Sequence, residues 1–252
     1  MIIAQISDTH ILAPSSEETV AGARAVSLRR CIADINRLRP DVVVHTGDIV
    51  QHGWPGEYSH VRELLAPLEA PLYIIPGNRD DRGALRAAFS DHAYLPQAGD
   101  FLHYTVDEHP VRLVALDSIA PGQRKGAFCA RRLAWLASAL ERAHERPTVL
   151  LIHQPPFDIG EDYVGGYSRP GEAQELAAVV RRHPQVQRLL CGHLHHPVHE
   201  DWAGTIATTM PSIALDVRKG VGTAAVKDVP MYHVHEMSAQ NGLVSHTRIV
   251  TD

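Results

Sequence analysis

The tetrapeptide Gly192-His193-Leu194-His195 follows an apolar run, Val186–Cys191, that reads as a buried strand. Side chains two apart on a strand share a face. The spacing therefore predicts that both imidazoles converge on one metal centre or on two adjacent ones. Gly192 is expected to let the backbone turn where the strand ends. A lone His-x-His also reads as a polar loop, but four further segments carry metal-ligand types just after apolar runs: Asp8 and His10, Asp48, Asn78, and His153. Each has a plain alternative: Asp8 a cap or turn, Gly47-Asp48 a turn, Asn78 a turn residue. Asp117 also ends a strand, but without a nearby ligand partner it reads as structural. Nitrogen and oxygen donors without thiolate suit Mn, Fe, Zn, Co or Ni better than a cysteine-rich structural zinc site.

The runs that must position these residues alternate with helical patterns. Residues 2–7, 41–45, 71–75, 148–152 and 186–191 read as strands. Val42, Val43 and Val44 suggest burial on both faces. Ile32, Ile35 and Leu38 mark a helix closed by Pro40, after a polar loop over 14–19. Further helices are expected over 57–68 and 81–89, along Leu133, Leu136 and Leu140 with its charged residues in solvent, and along Leu176, Val179 and Val180. Residues 101–106 and 111–117 read as a hairpin joined by Asp107-Glu108-His109-Pro110. Residues 158–170 read as a glycine-rich loop over the site. Beyond His196 the pattern turns to strands at 198–202, 205–209, 232–236 and 243–250, with Asn241-Gly242 as a hairpin turn. Residues 216–229 lack periodicity and read as a loop or an intersubunit arm. No repeat or linker divides the chain, so a single domain over 1–252 is expected, with 198–252 as C-terminal strands. In open α/β sheets ligands bind beyond the carboxyl ends of the strands, so all five segments can meet on one rim.

The 252 residues are 44% hydrophobic and 21% charged, with a formal net charge of -5. No global basic field argues for nucleic acid or an anionic membrane. Seventeen histidines are many for this length, and most are expected at the surface. Cys31, Cys129 and Cys191 form no CxxC pair, which speaks for a reducing, cytoplasmic compartment. The apolar start is too short for a signal peptide or membrane span.

The ordered set Asp8-x-His10, Gly47-Asp48, Gly77-Asn78-x-Asp80, His153 and Gly192-His193-x-His195 resembles the calcineurin-like metallophosphoesterase family, and within it the small bacterial cyclic-nucleotide and glycerophosphodiester phosphodiesterases. The resemblance implies an α/β fold: a two-sheet sandwich with helices outside both sheets. It implies one metal held by Asp8, His10, Asp48 and His195, and a second held by Asp48, Asn78, His153 and His193, with Asp48 bridging. It implies hydrolysis of a small phosphodiester by in-line attack of metal-activated hydroxide on phosphorus.

The family usually has histidine after the Asn; this chain has Arg79. Arginine stays protonated and cannot be a general acid at neutral pH, but it can hold a phosphate oxygen. Arg79 is thus expected to clamp the phosphate, with protonation of the leaving group left to solvent or to another residue, for which His52 and His196 are the candidates. Alternatively Arg79 pairs with Asp80 or Asp81. A phosphomonoesterase or a nuclease could use the same metals. A nuclease needs a cationic groove, for which Arg24, Arg29 and Arg30, or Arg124, Lys125, Arg131 and Arg132, are the candidates. A non-catalytic scaffold should have lost several ligands, and this chain keeps all seven. Substrate choice is expected in loops 12–27, 51–58 and 158–170 and in the C-terminal segment, and homo-oligomer contacts in 216–250.

Overall fold

The computed structural model describes residues 1–15, 17–157, 166–221, 226–238, 240 and 242–251. The first half alternates β1 (Ile2–Ile6), α1 (Val20–Leu38), β2 (Val42–His45), α2 (Pro55–Leu65), β3 (Leu72–Ile74) and α3 (Arg82–Ala88). Then come β4 (Tyr104–Val106), β5 (Arg112–Leu116), α4 (Ala130–Glu141), β6 (Thr148–Ile152), α5 (Pro170–Arg181) and β7 (Val186–Cys191). Four more strands follow: β8 (Val198–Trp202), β9 (Thr205–Thr209), β10 (Met231–Ser238) and β11 (Gly242–Ile249).

They form two mixed sheets, ordered β11-β10-β1-β2-β3 and β4-β5-β6-β7-β9-β8. Within the first, β1, β2 and β3 are parallel. Within the second, β5, β6, β7 and β9 are parallel. Both parallel cores present their carboxyl ends to the same rim.

Alternation along the central strands builds the layers. Leu113, Ala115, Val149, Leu151 and Leu190 pack in one cluster with Ile3, Ile6 and Val43 of the first sheet and with Leu28 and Ile32 of α1. Their neighbours Val114, Leu116, Leu150, Ile152 and Leu189 pack instead with Leu136 and Leu140 of α4 and Leu176 and Val180 of α5. Helices thus cover a sandwich of sheets, the α/β architecture expected. Each fully buried aliphatic contributes about 1.5–3 kcal/mol. Gln5 crosses between the sheets, its Nε2 donating to Thr46 Oγ1 at 2.9 Å and to the Cys191 carbonyl at 3.0 Å.

Several boundaries differ from the sequence reading. The loop expected over 12–27 ends at Thr19, whose side chain caps α1 by accepting from Gly22 N at 3.1 Å, so residues 20–27 are helix. Pro55, suited to a first helical turn, opens α2 two residues early. The hairpin at 107–110 and the C-terminal strands are as read. Asn241 and residues 158–165 of the expected loop lie outside the described residues. Most histidines are not at the surface: only His52, His144, His199 and His246 are exposed. His45 is a core residue, with Nε2 3.0 Å from Thr9 Oγ1 and Nδ1 accepting from Gly47 N.

Candidate metal centre

The loops leaving β1, β2, β3, β6 and β7 meet at one rim. Asp8, His10, Asp48, His193 and His195 all have positive φ, between 46° and 72°. The left-handed region disfavours residues with a Cβ by about 1–2 kcal/mol each, and Asp, Asn and His tolerate it best. The strand-alternation argument for His193 and His195 is therefore corrected: both lie past the strand in tight turns. They serve two adjacent positions. The His195 ring lies 5.0 Å from that of His10, and the His193 ring 5.1 Å from that of His153. Gly192 also acts differently from expectation. Its φ is not positive; a Cβ there would overlap Ser7 Oγ and come within 2.8 Å of Asp8 Oδ2, so the glycine permits close approach.

Asp8, His10, Asp48 and His195 each offer a ligand atom within 4.8 Å of the others. The Nε2 atoms of His10 and His195 are 3.1 Å apart, and His195 Nε2 lies 3.2 Å from Asp8 Oδ1. A second group adjoins the first: His153 Nε2 is 3.2 Å from Asn78 Oδ1 and 3.5 Å from Asp48 Oδ1. Asp48 faces both groups, with Oδ2 3.7 Å from His10 Nε2 and Oδ1 towards His153.

Backbone carbonyls orient two of the rings. His153 Nδ1 donates to Thr46 O at 2.7 Å, and His195 Nδ1 donates to Val217 O at 3.0 Å. A carbonyl can only accept, so both rings turn Nε2 to the cluster, as second-shell partners of metal-bound imidazoles do. The electrostatics match a cation site. Burial alone would raise Asp8, but the charge and hydrogen bond of His195 outweigh it and bring the carboxyl to about 2. Against the same burial, His153 drives Asp48 well below the carboxylate range. Burial opposes charge on His153 too, yet Asp48 lifts it to about 9; His195 rises through Asp8. Where burial dominates, His10 falls to about 4 and His193 to about 3. Two buried carboxylates thus demand positive charge, and oriented imidazoles supply it. The donor set, its orientation and its charge fit two divalent ions.

The sequence model of the calcineurin-like phosphoesterase family matches residues 1–197. The chain belongs to that family. It is 31% identical over 256 residues to a probable glycerophosphodiester phosphodiesterase, GpdQ, of Arcobacter nitrofigilis, covering 99% of this chain and 93% of that one. It is 28% identical to the 3',5'-cyclic adenosine monophosphate phosphodiesterase CpdA of Escherichia coli K12, covering 99% of this chain and 90% of CpdA. Its fold is similar to that of a dimetal phosphatase from Danio rerio, with a TM-score of 0.73, 16% identity and 99% of each chain covered.

Around the centre of this calcineurin-like phosphoesterase, Arg79 donates its backbone N–H to Asp48 Oδ1 at 2.7 Å. Its half-buried guanidinium pairs with neither neighbouring aspartate. Asp81 caps α3, accepting from Ala84 N at 2.8 Å. Asp80 is buried and accepts from the backbone of Gly77, Ile49 and Val50 at 2.8, 3.1 and 3.3 Å and from the Tyr58 hydroxyl at 3.0 Å. Burial and the Asp48 charge push Asp80 up to about 7, against those backbone donors. Asp80 thereby ties the Asp48 loop to the Asn78 loop. This tie was missed, although the Gly77-Asn78-x-Asp80 spacing contains it. His52 Nδ1 is 2.7 Å from the buried Glu57 Oε1, and its ring stacks on the exposed Trp54 at 4.4 Å. His196 turns its Nδ1 to Pro197 O at 3.1 Å and packs its ring on Gly220, so among the described contacts none brings it to the cluster.

Five of the six arginines of the two expected cationic patches are engaged, whereas Arg124 and Lys125 are exposed. Arg24 is buried and pairs with Asp216 at 2.6 Å, Arg29 lies 3.5 Å from Glu17, and Arg30 donates to Val250 O. Arg131 pairs with Asp100 at 2.6 Å. Arg132, expected in solvent, is buried, donates to Ile119 O at 2.8 Å and lies over the Phe101 ring. Asp117 is structural as read, holding Arg82 through both oxygens at 2.6 and 2.7 Å.

Proposed function

We propose that this calcineurin-like phosphoesterase hydrolyses a small phosphodiester at two metal ions that share Asp48. One observation carries the reading: the two oxygens of Asp48 face different nitrogen and oxygen donor groups. In this assignment Asp8, His10, Asp48 and His195 hold one ion, and Asp48, Asn78, His153 and His193 the other. Mn, Fe, Zn or Co would suit these donors. When bound, the ions supply positive charge beside the phosphate and acidify water.

The chain's own residues do the rest. Asp48 fixes the separation of the two halves. Arg79, tied to Asp48 through its backbone, turns a guanidinium with no ion-pair partner among the described residues to a phosphate oxygen and balances charge there as phosphorus is attacked. His52, with Nδ1 committed to Glu57, keeps Nε2 for the proton that the leaving alkoxide needs. Gly53 supports that placement: a Cβ there would lie 3.3 Å from Arg79 O, so the His52 loop packs on the Arg79 loop. His52 is better supported than His196 in this role.

A diester substrate, of cyclic-nucleotide or glycerophosphodiester type, is favoured by the likeness to GpdQ and CpdA, phosphodiesterases of those two kinds. The engagement of Arg24, Arg29, Arg30, Arg131 and Arg132, which leaves only Arg124 and Lys125 of the two patches, weighs against a nuclease, and the complete donor set against a scaffold. The buried thiols of Cys31 and Cys191 support a cytoplasmic setting, and no described helix is long and apolar enough to cross a membrane. The cluster shared by both sheets supports a single domain over 1–252. Exposed Val244 and Ile249 on β11 support homo-oligomer contacts there.

The test compares a chromogenic phosphodiester with its monoester, after metal is stripped and Mn²⁺ restored, with Asp48→Asn as control. Metal-dependent diester cleavage above monoester cleavage is expected. Monoester preference would replace the reading with a phosphatase, and inactivity without bound metal would revive the scaffold.

A further inference from the structure

The segment 212–219 lies beyond the residues that the family model matches, yet it closes over the first donor group. Ser212 Oγ donates to Asp8 O at 2.7 Å. Ile213 N donates to Ser7 O at 3.3 Å and Ala214 N to Asp8 O at 3.4 Å. Val217 O receives the His195 Nδ1 proton at 3.0 Å, and Lys219 N donates to His195 O at 2.8 Å. Between these contacts sits Asp216, held by a bidentate pair with Arg24 of α1: Nε to Oδ1 at 2.9 Å and Nη2 to Oδ2 at 2.6 Å. The same guanidinium donates through Nη1 to the His10 carbonyl at 2.8 Å and to Gln51 Oε1 at 3.0 Å. One buried arginine thus binds the peptide of His10, the His52 loop and the turn that aims His195.

We infer that the Arg24–Asp216 pair is a positioning device for the first metal, acting through His10 and His195. His10 and His195 sit at φ 46° and 57°, conformations that persist only where the surroundings over-determine them. Charge-assisted bidentate hydrogen bonds are the strongest such restraint, and the planar fork that makes them belongs to arginine and not to lysine. Among the described residues the segment makes no hydrogen bond to Asn78 or His153, so its effect falls on one donor group and not evenly on both. The inference rests on the two-metal reading above.

The test is Mn²⁺ binding to the metal-stripped full chain, followed by calorimetry and electron paramagnetic resonance, for wild type, Asp216→Asn and Arg24→Lys. Wild type is expected to take two ions with a coupled dinuclear signal. Asp216→Asn is expected to weaken one of the two equivalents by about 10- to 100-fold, as loss of second-shell partners does, and to show an isolated six-line Mn²⁺ signal. Arg24→Lys, which keeps the charge, decides the matter if Asp216→Asn does not fold; it is expected to weaken the same equivalent. Asp34→Asn breaks a charged cluster ten residues along α1 from Arg24 and controls for general destabilisation; its two equivalents are expected to be unchanged. Wild-type binding of both ions by the folded variants would overturn the inference alone, as would equal weakening of both sites. Fewer than two ions on the wild type would overturn the two-metal reading itself.

Discussion

Arg79 decides how this site meets a phosphate. Its backbone is fixed by Asp48, its neighbours Asp80 and Asp81 are committed elsewhere, and its guanidinium has no ion-pair partner among the described residues. Arg79→Ala is expected to lower kcat/KM for a phosphodiester by about 10- to 100-fold, the scale of charge-assisted hydrogen bonds of about 1.5–3 kcal/mol. Arg79→Lys should recover part of it. Steady-state rates unchanged in both KM and kcat would refute the clamp. His52 is separable from Arg79 by leaving group. His52→Gln is expected to slow an alkyl ester by at least about 100-fold while leaving a nitrophenyl ester, whose leaving group needs no proton, nearly unaffected. Equal losses on both esters would remove His52 from the proton transfer.

The turns after β1, β2, β3 and β7 set ligand geometry. Ligand types at strand ends were legible in the sequence, because the residues are polar exceptions bordering apolar runs. The way they converge was not. Positive φ at five of the seven depends on what surrounds each turn, and a sequence shows only that Asp and His tolerate it. Gly77 illustrates the crowding: a Cβ there would overlap the Asp48 backbone nitrogen and come within 2.8 Å of His153 Cε1. Since backbone and ring, not a flexible chain end, would have to move, Gly77→Ala is expected to abolish tight Mn²⁺ binding and to lower the thermal midpoint by several degrees. Retained binding in a calorimetric titration would show that the β3 turn relaxes freely. Asp80, buried beneath the same two loops, was present in the motif, but its hydrogen bonds to three amides become visible only when both turns are in place.

Across the whole molecule, the two-sheet architecture could be read from valine runs, alternation and the order of the strands. The return of residues 212–219 to the metal centre could not, because no periodicity marks a segment held by backbone hydrogen bonds. Nor could the burial of eight of the seventeen histidines, which depends on how the layers pack. Distant parts are joined at Asp34 of α1, which accepts from Arg248 of β11, from the Tyr232 hydroxyl of β10 at 2.8 Å and from Arg37 at 3.1 Å. Burial would raise its carboxyl, but these donors lower it to about 2, from 3.8. A depressed folded-state value means stability fully present above about pH 4 and lost as pH falls towards 2. Discounted for the exposure of its arginines, the effect is about 1–2 kcal/mol. Asp34→Asn is therefore expected to lower the thermal midpoint at pH 7 and to flatten its fall between pH 4 and 2. An unchanged acid slope would assign that pH dependence elsewhere.

The central claim is that two ions share Asp48 and that hydrolysis needs both. Its most direct test is a Mn²⁺ titration of the stripped wild-type chain, with bound metal and phosphodiester hydrolysis measured on the same samples. The account predicts that the rate rises with the second equivalent and levels near two ions per chain, and that Asp48→Asn neither holds two ions nor turns over. Full activity at one ion per chain, or in Asp48→Asn, would contradict it.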